Sequence, residues 1–130
     1  MVRASRYDEA VAAFDRALPL MAQVGDELSQ GRIHLGLAEA RRGLGRRAQA
    51  IRSAERAAAT MRECRVPVKE TRARELLAAL AEDAGDREGA AAELRRAVEV
   101  CLASGNRPKA AALRARLERV LDVRKGEGPL

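Results

Sequence analysis

Few side chains in this sequence are of the kinds that carry catalysis. It has one histidine, His34, with Glu39 and Arg41 close by in the chain. General acid–base work needs an imidazole with a positioned partner and a reacting group within reach. No second histidine or neighbouring nucleophile accompanies His34, so it reads as a polar groove residue or a half-buried one. Cys64 and Cys101 make no CxxC pair and stand 37 residues apart. At such positions thiols act as small apolar fillers, and their number fits a reducing, cytoplasmic setting. Glu82, Asp83 and Asp86 cluster without the oxygen-rich loop spacing of a calcium site, and helix-end capping is the simpler role. Gly43-Leu-Gly45-Arg-Arg-Ala48 has the glycines of a dinucleotide fingerprint, but that motif needs a preceding strand. None is indicated, so the segment reads as a hairpin turn. The expectation is a non-enzymatic chain with no catalytic residues, no metal site and no cofactor.

The elements that hold these residues are helices. Of 130 residues, 28 are alanine, the strongest helix former, and strand-favouring types are few. No apolar run approaches the ~18 residues of a membrane span. The opening MVRASRYDEA lacks the apolar core of a secretory signal. Three segments, from Arg6, Arg47 and Arg87, align without gaps at a spacing of 40 residues. Ala10, Ala50 and Ala90 share one column and Ala17, Ala57 and Ala97 another, two helical turns on. Phe14, Ala54 and Leu94, then Met21, Met61 and Cys101, fill two more. Ser5, Gly45 and Gly85 open the segments, and Gly25, Arg65 and Gly105 close them. The apolar spacing predicts six helices, over about 6–23, 28–44, 47–63, 69–84, 87–103 and 107–122. An interruption is expected at Pro19. Short connections make consecutive helices antiparallel, and paired helices that cannot bury a face alone must stack. The predicted fold is all-α, an α-solenoid of antiparallel hairpins over residues 1–124, with a flexible tail at 125–130.

The segment YDEAVAAFDRAL at 7–18 resembles the second helix of a tetratricopeptide repeat, with Tyr7, Ala10, Phe14 and Ala17 in the aromatic and small positions of that motif. LGLAEARRGLGRRAQAI at 35–51 and LLAALAEDAGDREGAA at 76–91 resemble the end of a first helix, a glycine turn and a second helix. The period of 40 exceeds the family's usual 34 or so, and is similar to the long repeats of bacterial maltose-regulator-type transcription activators. The first-helix Trp position of the family holds His34, Arg74 and Arg114. The resemblance implies a protein- or peptide-binding scaffold, part of or related to such a regulator. It also implies a concave groove lined by Arg32, Leu35, Glu39 and Arg42, by Arg72, Glu75, Ala79 and Glu82, and by Arg119 with Ala112 and Ala115. Arginines there suit a partner bearing carboxylates. In this phase the first helix is of the second type and lacks its hairpin mate. Tyr7, Val11, Phe14 and Leu18 are therefore candidate contacts for self-association as a homodimer.

Charge gives an alternative. Residues 31–65 carry nine basic and three acidic side chains, including Arg32, Arg41, Arg42, Arg46, Arg47, Arg52 and Arg56. Clustered positive charge is all that phosphate affinity needs, so the Arg32–Arg56 stretch is a candidate nucleic-acid contact. LAEDAGDREGAAAEL at 80–94 has the small-residue and glycine spacing of a helix-turn-helix, although its second helix offers Glu88, Glu93 and Glu99 where base edges call for Arg, Lys, Asn or Gln. Arginine outnumbers lysine 22 to 3, a usage that fits a high-GC bacterial genome.

Overall fold

Left-handed backbone recurs every twenty residues and sets the architecture. In the computed structural model, which describes residues 2–126, Gly25, Gly45, Arg65, Gly85 and Gly105 all have φ between 59° and 78°. Each lies two residues before a helix. The helices are α1 (Val2–Gln23), α2 (Glu27–Gly43), α3 (Arg47–Glu63), α4 (Pro67–Asp83), α5 (Arg87–Ala103) and α6 (Arg107–Gly126). Each turn closes in the same way. The amides of Asp26, Arg46, Val66, Asp86 and Asn106 donate to the carbonyls of Met21, Arg41, Met61, Ala81 and Cys101 at 2.8 or 2.9 Å. This is the Schellman bond that a left-handed residue permits at a helix end. The next helix then starts at once. Asp26 accepts from the Ser29 amide at 3.0 Å and Asp86 from the Gly89 amide at 2.9 Å, each satisfying an orphan donor of the first turn. Pro67 occupies the first position of α4, where no amide is needed.

Three expectations differ at α1 and at the C-terminus. Helix α1 runs unbroken through Pro19. Pro19 withholds an amide from the Asp15 carbonyl, but both residues are exposed, so water can take the missing donor's place. Ser5 lies inside α1 rather than in a turn. Helix α6 continues to Gly126, and the remainder of the tail expected over 125–130 lies outside the described residues.

Two layers result. Consecutive helices pack against each other and the backbones of α2 and α4 come close, whereas among the described residues those of α1 and α3, and of α3 and α5, do not. The α2, α4, α6 row is therefore pinched together at α2 and α4, while the α1, α3, α5 row is splayed. The core between them is built on alanine. Ala50, Ala54, Ala57, Ala58, Ala90 and Ala97 have no exposed surface, which lets helix axes approach closely. Met61 and Leu94 are equally buried and fill the intervening space. The forty-residue columns hold in three dimensions for α3 and α5, and are half-buried in α1, where Ala10, Phe14, Ala17 and Met21 sit.

Candidate functional site

The α2–α4–α6 face carries the expected groove residues, and most of their charge is spent on each other. Arg42 donates through Nε to Asp83 Oδ2 at 2.8 Å and through Nη2 to Oδ1 at 3.2 Å. Arg72 meets Glu39 at 2.6 Å, Lys109 meets Glu75 at 2.9 Å, and Arg116 meets Glu82 at 2.8 Å. These pairs lace α2 to α4 and α4 to α6. The Arg42 bond holds the Asp83 carboxyl below its ordinary range. Arg32 and Arg119 are exposed and have no ion pair among the described residues. Leu35 is a correction: it is 4% exposed and packs with Ala57, Ala58 and Ala73, so it is core and not groove lining. Two hollows remain on this side. One, of about 480 Å³, lies among Tyr7, Glu39, Arg42, Gly43, Leu76 and Asp83. The other, of about 460 Å³, includes Val68, Arg72, Glu75 and Lys109.

The splayed α1–α3–α5 side forms clefts that the sequence reading missed. One, about 790 Å³, lies over α4 between α3 and α5 and is lined by Arg62, Arg65, Glu70, Arg74, Arg96 and Glu99 among others. Glu70 is 9% exposed, and its carboxylate has no hydrogen bond or ion pair among the described residues. Arg74 reaches Glu93 at 3.2 Å, and its Nε is buried without an acceptor. Arg96 approaches Glu93 only to 3.6 Å. Arg62 and Arg65 have no ion pair among the described residues. A second cleft, about 300 Å³, sits over α2 between α1 and α3, with Asp15, His34, Arg41, Gln49, Arg52 and Arg56. The two clefts share two columns, His34 with Arg74 and Arg56 with Arg96, each pair forty residues apart, and differ in the rest of their lining. That shared spacing was the available signal in the sequence. Burial, then Arg56 and Arg41, lowers the pKa of His34.

Other expected contacts fall elsewhere. The rings of Tyr7 and Phe14 lie over Gly43 and Gly36 of α2, and Leu18 lines the smaller cleft with α2 and α3. Tyr7, Phe14 and Leu18 thus bind α1 to its own chain instead of facing a second copy; Val11 beside them is half-buried. The Arg32–Arg56 stretch does not form one patch. Arg41 donates to Ser53 at 2.7 Å, Arg42 is held by Asp83, Arg46 meets Asp8 at 3.6 Å and Arg47 donates to the Asp83 carbonyl at 3.3 Å. Segment 80–94 is no separate helix-turn-helix. It is the fourth of five like turns, with Leu80, Ala90, Ala91 and Leu94 buried and α5 packed between α4 and α6.

Among the described residues no group of three or more His, Cys, Asp or Glu side chains could hold a metal ion, and no helix is long and apolar enough to cross a membrane. Against known families, residues 2–63 match the tetratricopeptide repeat model. The matched stretch, just under half of the chain, is thus similar to a tetratricopeptide repeat. The match ends at Glu63, but α4–α6 repeat the same turns and packing beyond it. No curated protein matches the chain. Tetratricopeptide repeats are in general a non-catalytic scaffold that mediates protein–protein interaction.

Proposed function

We propose that the chain is a non-enzymatic scaffold of tetratricopeptide type that captures an acidic protein segment in the cleft over α4, between α3 and α5. The observation that carries this reading is the state of its arginines. Arg62 and Arg65 face about 790 Å³ of open space with no carboxylate of their own, whereas Arg42 and Arg72 on the opposite face are already neutralised at 2.8 and 2.6 Å. A carboxylate arriving at the cleft gains charge-assisted bonds without breaking existing ones. Arg65 adds support. It is the one non-glycine residue with positive φ among the described residues, and a strained residue at a binding surface is a common sign of use.

The test is binding of a fluorescent glutamate-rich peptide, read by anisotropy. Arg62→Glu with Arg96→Glu should lower affinity at least tenfold, and Arg42→Glu with Arg72→Glu should change it little. The reverse pattern would overturn the cleft and favour the α2–α4–α6 face. That face is the second reading, favoured by its two hollows and by exposed Arg32 and Arg119, with Glu39, Glu75, Ala79 and Glu82 as neighbours. Duplex DNA competing as well as the peptide would instead favour a nucleic-acid contact. The forty-residue hairpin supports kinship with bacterial maltose-regulator-type activators, and the two free thiols, Cys64 and Cys101, support a cytoplasmic setting.

A further inference from the structure

The cleft over α2, between α1 and α3, lacks the acids of the cleft over α4. In the α4 cleft Glu70 and Glu99 are part of the lining, and Glu93 takes Arg74 at 3.2 Å and approaches Arg96 at 3.6 Å. Forty residues earlier the columns of Glu70, Glu93 and Glu99 hold Gln30, Ser53 and Ala59. The Arg96 column keeps its charge as Arg56, and Arg41 and Arg52 stand in the columns of Ala81 and Ala92. The cleft of about 300 Å³ that results is lined by these three arginines, His34 and Gln49, and Asp15 is the one carboxylate of its lining.

Its positive charge is not spent. The side chains of Arg52 and Arg56 have no ion pair or hydrogen bond among the described residues. Arg41 gives Nη1 to a neutral acceptor, Ser53 Oγ, at 2.7 Å. Its Nη2 stops 3.8 Å from Asp15, and its Nε is buried without an acceptor. Three guanidiniums against one carboxylate leave two positive charges in excess. The volume is at the small end for a ligand site, and the apolar lining is Leu18 and Leu37, so a compact charged group suits it better than an apolar side chain. The donors stand on two helices, His34 and Arg41 on α2 and Gln49, Arg52 and Arg56 on α3. An anion with oxygens pointing in several directions meets more of them than a planar carboxylate does. A phosphate monoester has three such oxygens and close to two negative charges at neutral pH, and guanidinium forks bind it through paired bonds.

We propose that the cleft between α1, α2 and α3 binds a phosphate monoester dianion, with Arg41, Arg52 and Arg56 as its ion-pair partners and His34 and Gln49 as neutral donors. A phosphorylated side chain of a partner protein and a small free phosphate share this chemistry. The site is separate from the α4 cleft and does not depend on capture of an acidic segment there. His34 reports its occupancy. Asp15 of α1, Arg41 of α2, and Arg52 and Arg56 of α3 line the cleft with it, and burial, then Arg56 and Arg41, hold its pKa below the ordinary value. A bound dianion offsets those arginines, so the pKa of His34 rises on binding, and protonated His34 in turn favours the anion.

Proton NMR titration of the full chain at constant ionic strength tests it, because His34 is the chain's one histidine and its ring C2 proton is a signal of its own. N-acetyl-O-phosphoserine amide and inorganic phosphate should each shift that proton saturably and raise the pKa of His34. Tighter binding of the phosphoserine compound would assign the site to a phosphorylated side chain, and equal binding to small free phosphate. Arg52→Gln with Arg56→Gln alters two exposed positions, and unchanged far-ultraviolet circular dichroism would confirm that the variant folds. It should weaken binding about tenfold or more, whereas Arg62→Gln with Arg96→Gln in the α4 cleft should leave it unchanged. No saturable shift with either phosphate, equal binding of glutarate or of singly charged dimethyl phosphate, or affinity that survives the loss of Arg52 and Arg56 would each overturn the proposal.

Discussion

Gly36 and Gly43 leave the space into which two aromatic rings fit. A Cβ on Gly36 would fall within the Phe14 ring, and one on Gly43 within that of Tyr7. Helix propensity alone says that Gly→Ala in a helix interior stabilises by about 1 kcal/mol. Forcing a methyl group against a half-buried aromatic ring costs about 1–3 kcal/mol. Packing should win, so Gly36→Ala is expected to lower the urea midpoint, and a raised midpoint would contradict the ring-on-glycine contact. Phe14→Ala should then mask the effect of Gly36→Ala, a coupling expected of residues in contact. His34 gives a second prediction. Burial and the nearby Arg56 and Arg41 lower its pKa in the folded chain, so the unfolded state binds the proton more readily. That contribution to stability is complete above the ordinary value of 6.5 and declines as pH falls through it. His34→Gln should flatten the loss of stability measured between about pH 8 and pH 5. An unchanged pH profile would mean that His34 is not shielded as the structure places it.

At the level of helices and turns, Arg65 is the position where stability and use pull apart. Four of the five turns place glycine in the left-handed region, and the fifth places Arg65 there with φ 59°. A residue with a Cβ pays about 1–2 kcal/mol in that conformation, and glycine returns part of this through its unfolded-state entropy. Arg65→Gly should therefore raise the thermal midpoint by a few degrees while weakening capture of the acidic peptide. A rise in both would remove the functional account of the strain. The turns also show why the fold was legible in the sequence. Glycine at 25, 45, 85 and 105 and small residues forty apart are local signals, and they located six helices to within a few residues except at the ends of α1 and α6. The site was less legible. Arg42 and Asp83 stand 41 residues apart in the chain, and nothing local shows that they meet. Tyr7 and Phe14 were assigned outward because α1 lacks the helix before it, but a solenoid helix has a neighbour on either side and α2 claims both rings. Leu35 was placed in the groove by family position, while its burial follows from Ala57, Ala58 and Ala73, which lie on other helices.

Across the whole molecule, consecutive helices make most of the contacts, and only the α2–α4 approach and the ion pairs from α2 to α4 and α4 to α6 reach further among the described residues, so stability passes mainly between near neighbours. In such an array the free energy is close to a sum of local terms and neighbour interfaces. Leu94 is wholly buried with Ala78, Ala97, Val98 and Leu113, all on α4, α5 and α6. Leu94→Ala removes its side chain from that cluster and should cost about 2–5 kcal/mol. The loss should not spread evenly. Amide exchange in α4, α5 and α6 should accelerate in proportion to the lost stability, while α1 and α2, held by Phe14 and Tyr7 on Gly36 and Gly43, should change by much less. Exchange measured residue by residue separates this from ordinary two-state behaviour, in which the slowest amides of every helix would accelerate by the same factor. Uniform acceleration would mean that the six helices unfold as one unit.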